Sequence, residues 1–227
     1  MIDITKAASL YNSRFEQYGR GIKTVGWGSE DSQHLRFEVL FRELEPKGKT
    51  ILDVGCGLGD LIPYLEERTN GDFKYIGIDI AEKLVDDANA HFGTVDRIFH
   101  TGDIFSVSLP QIDISVLSGV LSYKTSGIED YAHNTIKKMF ELSNEAACLN
   151  FLTKYVDYEL EKNQHYQPEI IYSWAKQLSK RVNLFDDYPL HEFTLQLFAD
   201  HSCLIQYTRY ILYLLGFSFS GSIFSPL

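Results

Sequence analysis

The segment ILDVGCGLGD, residues 51–60, combines an apolar run with three closely spaced glycines. The apolar run is typical of a buried strand, and an amphipathic stretch that favours a helix follows it. Glycine occurs where the backbone turns sharply or approaches a ligand closely. Gly55, Gly57 and Gly59 therefore predict a cofactor-binding loop between a strand and a helix.

The spacing of these glycines and the acids beside them narrow the choice of cofactor. The loop has G-x-G-x-G spacing, and Asp60 stands where the dinucleotide-binding version has its third glycine. Carboxylates at Asp53 and Asp60 would oppose a pyrophosphate, which binds to the backbone N–H groups of a helix N-terminus. S-adenosylmethionine carries a sulfonium and an ammonium but no phosphate, so acids beside the loop favour it.

Two later strand ends also carry acids. Asp79 ends the strand in IGIDI (76–80), about 20 residues beyond the loop, where a carboxylate can accept hydrogen bonds from both hydroxyls of a ribose. Asp103 follows the next strand in TGDIF (101–105) and is predicted to accept a hydrogen bond from the adenine amino group. The neighbouring residues that complete the predicted cofactor site are Ile80, Ile104 and Ser118.

From residue 50 onward, short β-rich apolar runs alternate with amphipathic stretches, which indicates βαβ units and a mostly parallel sheet. The seven predicted strands are Thr50–Val54, Phe73–Asp79, Arg97–His100, Ile112–Ser118, Ala146–Leu152, Arg181–Phe185 and Glu192–Phe198. The predicted helices are Asp31–Leu44, Asp60–Arg68, Ala81–Phe92, Gly127–Leu142 and Pro168–Ser179.

Together, ILDVGCGLGD, IGIDI and TGDIF resemble the three cofactor motifs of the class I methyltransferases, and the resemblance covers about residues 30–198. It implies a Rossmann-like three-layer α/β sandwich with a seven-stranded, mostly parallel sheet, whose last strand, HEFTLQLF at 191–198, is antiparallel. It also implies S-adenosyl-L-methionine as cofactor, with Asp53 near the methionine ammonium and Asp79 on the ribose. The loop residues that would line the cofactor are Gly55, Cys56, Gly57 and Gly59, and we assign the Cys56 thiol no chemistry.

The chain divides into three predicted parts. Residues 1–48 are predicted as a helical cap or lead-in, residues 49–198 as the cofactor-binding core, and residues 199–227 as a tail without an assigned role. VGWGSEDSQHLRFEVL at 25–40 resembles the lead-in of some bacterial methyltransferases. Within it, Arg36 is the candidate for the cofactor's carboxylate, because a guanidinium binds a carboxylate in a bidentate manner.

Three aromatic residues of the first part are candidates for a cap over the cofactor: Tyr11, Tyr18 and Trp27. Gly19 and Gly21, which lie between Tyr18 and Trp27 in the sequence, would allow a hinge.

Composition limits the partners. The 31 acidic residues outnumber the 21 Lys and Arg, and the formal net charge of −10 opposes nucleic acid and anionic membrane surfaces. The seven histidines and three cysteines show no metal-ligand spacing and no disulfide framework. The N-terminal residues lack the features of a signal peptide, so we expect a cytoplasmic protein. The tail falls short of the apolar length that a membrane span needs, so we expect it to pack on the domain, to pack on a partner such as a second copy of the chain in a homo-oligomer, or to be a non-native extension.

The sequence says less about the methyl acceptor than about the cofactor. Methyl transfer is an in-line displacement, for which holding the acceptor near the methyl carbon is the main requirement. If a base is needed, the loop after the fourth strand, residues 118–124, is the place for it, and Tyr123 is the candidate. That loop lacks the Asn/Asp-Pro-Pro-aromatic motif of family members that methylate nucleobase amines or glutamine amides. A small-molecule acceptor is therefore predicted.

Two alternatives stay open at this point. One is an NAD(P)-dependent oxidoreductase on a related sheet, which the glycine spacing and Asp53 disfavour. The other is a non-catalytic partner subunit that keeps the fold and uses residues 199–227 as its interface.

Overall fold

The computed structural model describes residues 4–199, so the predictions for the tail beyond Ala199 lie outside the described residues. The first described part forms three helices: α1 (Ile4–Tyr18), α2 (Ile22–Val25) and α3 (Glu30–Leu40). The side chain of Ser29 begins α3 by accepting a hydrogen bond from the backbone N–H of Ser32 at 3.1 Å. Within residues 4–199, no helix is long and apolar enough to cross a membrane.

A seven-stranded sheet follows, in the order β3-β2-β1-β4-β5-β7-β6. The strands are β1 (Thr50–Val54), β2 (Lys74–Asp79), β3 (Arg97–Thr101), β4 (Ile112–Leu117), β5 (Ser143–Leu152), β6 (Arg181–Phe185) and β7 (Glu192–Phe198). β7 lies antiparallel to both β5 and β6, while β1 to β5 pair in parallel. The predicted fold class, with one antiparallel last strand, is confirmed.

Helices cover both faces of this sheet. They are α4 (Leu61–Thr69), α5 (Glu82–Phe92), α6 (Ile128–Leu142) and α7 (Pro168–Leu178). β1 shows the two-sided burial: Leu52 and Val54 pack in the core beneath α6 and α7, and Ile51 packs in the opposite core beneath α3 and α4. Successive strand residues point to opposite faces, so adjacent apolar residues such as Ile51 and Leu52 indicate a strand buried on both sides.

The predicted boundaries differ from the observed ones by more than one residue at two elements, and by a single residue at several others. α3 ends at Leu40 and not at Leu44, because a turn intervenes before Pro46. β5 begins at Ser143, three residues before the predicted start, since Ser143 already pairs with Ile112, ahead of a register shift at which β5 carries one extra residue.

Candidate functional site

A cavity of about 260 Å³ lies at the carboxyl ends of β1, β2 and β4. The strand order reverses between β1 and β4, which is where open α/β sheets bind ligands. Helix α1 and the loop before α3 cover the opening. The volume is near the lower end of the range for small-molecule sites, about 300–1,000 Å³.

The glycine loop forms the floor of this cavity. Gly55 has φ +77°, and a Cβ there would overlap Cγ2 of Val120. Only glycine fits this position, because it tolerates a positive φ and leaves room for the opposite loop. Gly57 also lines the cavity. Gly59, which the sequence predicts to line the cofactor, faces elsewhere: a Cβ there would lie 3.0 Å from the Phe92 ring under α5.

Asp53 is a buried carboxyl at the carboxyl end of β1 and lines the cavity. The Tyr75 hydroxyl donates a hydrogen bond to its Oδ2 at 2.7 Å. Burial raises the pKa of Asp53 to about 7, although the bond from Tyr75 lowers it. A cationic ligand group beside Asp53 would favour its ionised form.

Asp79 ends β2 and is fixed by the backbone. The N–H of Gly57 donates to Oδ2 at 2.9 Å, and the N–H of Ala81 donates to Oδ1 at 2.8 Å. Burial raises the pKa of Asp79, and these backbone bonds oppose the rise. Each carboxylate oxygen can accept more than one hydrogen bond, so the side chain keeps capacity for ligand hydroxyls. Ile80 lies beside it in the cavity wall.

Asp103 follows β3 and closes the same side of the cavity. Its Oδ1 accepts hydrogen bonds from the backbone N–H groups of Phe105 at 3.1 Å and Ser106 at 2.8 Å. Ile104 is fully buried beside it. Sequence reasoning missed Tyr131, which also lines the cavity and whose pKa burial raises to about 12. Tyr131 comes from α6, and its helical spacing gave no sign that it faces a ligand.

The loop after β4 supplies another wall. Ser118 lines the cavity, and its Oγ is buried without a hydrogen-bond partner among residues 4–199. A buried hydroxyl without a partner is costly, so the Ser118 hydroxyl is free to bond a polar group of a ligand. Tyr123 also lines the cavity and pairs through its backbone with Asn163. Asn163 and Lys162 were missed by sequence reasoning, because they come from a long loop without a motif.

Helix α1 covers the cavity with one face. The lining residues follow helical spacing: Ile4, Ala7, Leu10, Tyr11 and Arg14. Of the three predicted cap aromatics, Tyr11 and Trp27 line the cavity. Tyr18 does not, since it points outward from the last turn of α1 and is 48% exposed.

Cys56 and Arg36 have structural partners. Cys56 lines the cavity, but its thiol is buried in the core, and burial holds the pKa of the thiol well above the usual value. Arg36 does not line the cavity. It donates from Nε and Nη2 to the carboxylate of Glu192, at 2.7 and 2.5 Å. The guanidinium is thus not available for the cofactor carboxylate predicted for it, and among residues 4–199 the cations at the cavity wall are Arg14 and Lys162.

Comparison with known proteins fits this geometry. Residues 51–142 match the family described as "Methyltransferase domain". The chain is also 30% identical over 163 residues to the protein provisionally named methyltransferase Rv1506c from Mycobacterium tuberculosis (strain ATCC 25618 / H37Rv). That match covers 64% of this chain and 90% of the relative. The chain belongs to the methyltransferase family.

Solved structures share the fold of this methyltransferase. Magnesium protoporphyrin IX methyltransferase from Synechocystis PCC 6803, solved with bound SAH, has a TM-score of 0.63 at 17% identity, over 86% of this chain and 99% of that one. Small RNA methyltransferase HEN1 has a TM-score of 0.56 at 15% identity, over 73% of this chain and 25% of that one. The predicted family is confirmed, which decides against the oxidoreductase alternative.

Proposed function

We propose that this methyltransferase transfers a methyl group from S-adenosylmethionine to a small-molecule acceptor held under helix α1. The observation that carries the proposal is the charge of the cavity wall. Four carboxyl groups, from Asp53, Asp60, Asp79 and Asp103, line it beside a loop where only glycine fits. Such a wall favours a cofactor that carries positive charge and no phosphate.

The residues present fit S-adenosylmethionine, the cofactor of the family's class I members. Asp79 has the acceptor capacity for a ribose diol, since backbone N–H groups use one lone pair of each oxygen. Ser118 offers a buried hydroxyl that lacks a partner within the described chain. Asp53 suits the methionine ammonium, and Arg14 replaces Arg36 as the candidate for the carboxylate. Ile104 and Tyr131 suit the adenine ring, beside Asp103.

Bound S-adenosylmethionine supplies an electrophilic methyl group on a sulfonium. The chain's own task is to hold an acceptor atom in line with that group and to keep water away. Val120, Tyr123 and Trp27 line the part of the cavity beside the loop after β4. Tyr123 is the candidate base for an acceptor that still carries a proton.

A small acceptor is favoured by the size and cover of the cavity. Its volume of about 260 Å³ is that of a small-molecule site, and Ile4, Leu10 and Tyr11 of α1 lie across it. The net charge of −10 also opposes a nucleic-acid substrate. The three-part division of the chain, the cytoplasmic location and an interface in the tail stay predictions.

Calorimetry with S-adenosylhomocysteine and NAD, followed by an acceptor screen that detects S-adenosylhomocysteine formation, tests the proposal. We expect binding of S-adenosylhomocysteine, none of NAD, and turnover with a small acceptor. Binding of NAD alone would refute the cofactor. Turnover only on RNA or protein would refute the acceptor class, and cofactor binding without turnover on any acceptor would favour the partner-subunit alternative.

A further inference from the structure

The buried pair of Arg36 on α3 and Glu192 on β7 has no role in the proposed chemistry. The two side chains are 10% and 5% exposed and meet through two hydrogen bonds. Desolvation of both charges offsets much of their attraction, so apolar residues in such places are often as stabilising or more so. Stability alone therefore does not explain why a charged pair occupies this buried position.

A polar chain leads from this pair to the cavity wall. Asn150, buried on β5, donates from Nδ2 to Glu192 at 3.2 Å. Its Oδ1 accepts the backbone N–H of Gly119 at 2.9 Å. Gly119 has φ +78° and begins the 3-10 turn Val120–Ser122, which Tyr123 follows. The charge of Glu192 thus orients the amide that fixes this turn.

A second path runs from Arg36 to the same turn through an aromatic ring. The Arg36 guanidinium lies 4.2 Å from the centroid of the Trp27 ring. The ring in turn lies against Gly119, where a Cβ would overlap its Cη2. Both Trp27 and Gly119 line the cavity. The two paths therefore form a closed set of contacts. It runs from Arg36 through Glu192 and Asn150 to Gly119, and returns through Trp27.

We propose that Arg36 and Glu192 are positioning residues that hold Trp27 and the Gly119 turn together as the wall beside the transferred methyl group. That this wall faces the methyl group rests on the proposed function. Arg36 acts through cation–π stacking on Trp27, and Glu192 acts through Asn150. A guanidinium suits both tasks, since its plane stacks on a ring while its edge binds a carboxylate.

The test uses Trp27 as its own reporter. The sequence has two tryptophans, so Trp174→Phe leaves Trp27 as the single emitter. Into that background we place R36M/E192Q, which removes both charges together and so leaves no unpaired buried ion, while the amide introduced at position 192 can still accept the hydrogen bond from Asn150. The readouts are acrylamide quenching of Trp27, the dissociation constant of S-adenosylhomocysteine and the thermal unfolding midpoint.

In R36M/E192Q we expect quenching of Trp27 to rise, and the dissociation constant to rise with it by roughly 2- to 30-fold, the range that loss of one cation–π contact allows. R36K retains a cation without the planar stack, so its quenching and its dissociation constant should lie between those of the Trp174→Phe background and those of R36M/E192Q. The matched control is R42M/D187N, because Arg42 also pairs with an acid and lies 4.6 Å from the Phe185 ring, outside the cavity. It should leave both values unchanged.

The outcomes separate this inference from the proposed function. If the Trp174→Phe protein itself does not bind S-adenosylhomocysteine, the proposed function fails. If it binds, and R36M/E192Q folds with unchanged quenching and affinity, the pair has no positioning role. If R36M/E192Q does not fold, R36K and E192Q are measured alone, and unchanged quenching in both overturns the inference.

Discussion

Two parts of the site hold their ligand-facing groups by different means. One is the core end, formed by the glycine loop and the carboxyl ends of the strands, and the other is the cap (residues 4–27). In the core, Asp79 is fixed by backbone N–H groups and Gly55 by its own backbone conformation. In the cap, α1 has no fully buried residue, and Tyr11, Phe15 and Val25 pack partly buried against the cluster of Leu58, Ala81 and Leu84. The core end is thus held by the backbone of the sheet, whereas the cap is held by side-chain contacts.

Arg20 links the two regions. Its guanidinium donates to the carbonyl oxygen of Leu58, within the glycine loop, from Nη1 at 2.8 Å and Nη2 at 2.7 Å. It also pairs with Asp87 of α5 at 3.0 Å. Arg20 stands between Gly19 and Gly21, both with positive φ and open space around them. Arg20 therefore fixes the segment between α1 and α2 to the core.

The largest effect is expected for Gly55→Ala in the core. The new Cβ would overlap Val120 in a backbone conformation that alanine rarely adopts, so we expect about 1–3 kcal/mol of lost stability and at least roughly 100-fold weaker S-adenosylhomocysteine binding. Chemical denaturation and calorimetry measure the two. Gly28→Ala is the matched control, since a Cβ at Gly28 meets nothing within 4 Å. Normal binding by Gly55→Ala would show that the core end is not rigid.

Asp53→Asn tests the electrostatics of the core end. Burial raises the pKa of Asp53 to about 7 in the folded protein, above its unfolded value, so ionising it costs stability as the pH rises from about 4 to 7. The variant should match the wild type at pH 4 and be more stable above pH 7 by roughly 1–3 kcal/mol. Asparagine can still accept the Tyr75 hydrogen bond.

The same change should weaken the cofactor site. A ligand ammonium favours ionised Asp53, so wild-type affinity for S-adenosylhomocysteine should rise between pH 6 and 8, while the variant should bind more weakly and without that rise. Urea denaturation and calorimetry across this range provide both curves. The exposed Asp72→Asn is the control and should follow the wild type. Parallel stability curves for Asp53→Asn would contradict the raised pKa.

The smallest effect is expected for Arg20→Gln in the cap. Loss of the bonds to Leu58 and Asp87 should cost about 1–2 kcal/mol of cap attachment, which raises proteolysis within residues 4–26 roughly 5- to 30-fold. Limited proteolysis with mass spectrometry reports the cleavage sites. Arg42→Gln, which breaks an exposed pair away from the cap, should leave the pattern unchanged. Equal protection in Arg20→Gln would remove the contrast between the two regions.

How far the sequence predicts the site depends on how local its contacts are. Asp53, Asp79 and Asp103 each lie at or just after the carboxyl end of a strand, so the strand pattern was enough to bring them to one edge of the sheet. Arg36 was misassigned because its partner, Glu192, is 156 residues away. Tyr131, Lys162 and Asn163 were missed for a similar reason, since nothing near them in sequence marks the cavity.

By itself, the sequence determined the glycine loop, the acids at three strand ends, the seven strands and the family. These are local patterns, because a glycine turn, an apolar run and a terminal carboxylate act within a few residues. Only the tertiary structure decided that Tyr11 and Trp27 cover the cavity while Tyr18 does not. It also decided that Arg36 forms an ion pair with Glu192. Both depend on how the cap packs on the sheet, where residues far apart in sequence compete for the same neighbours.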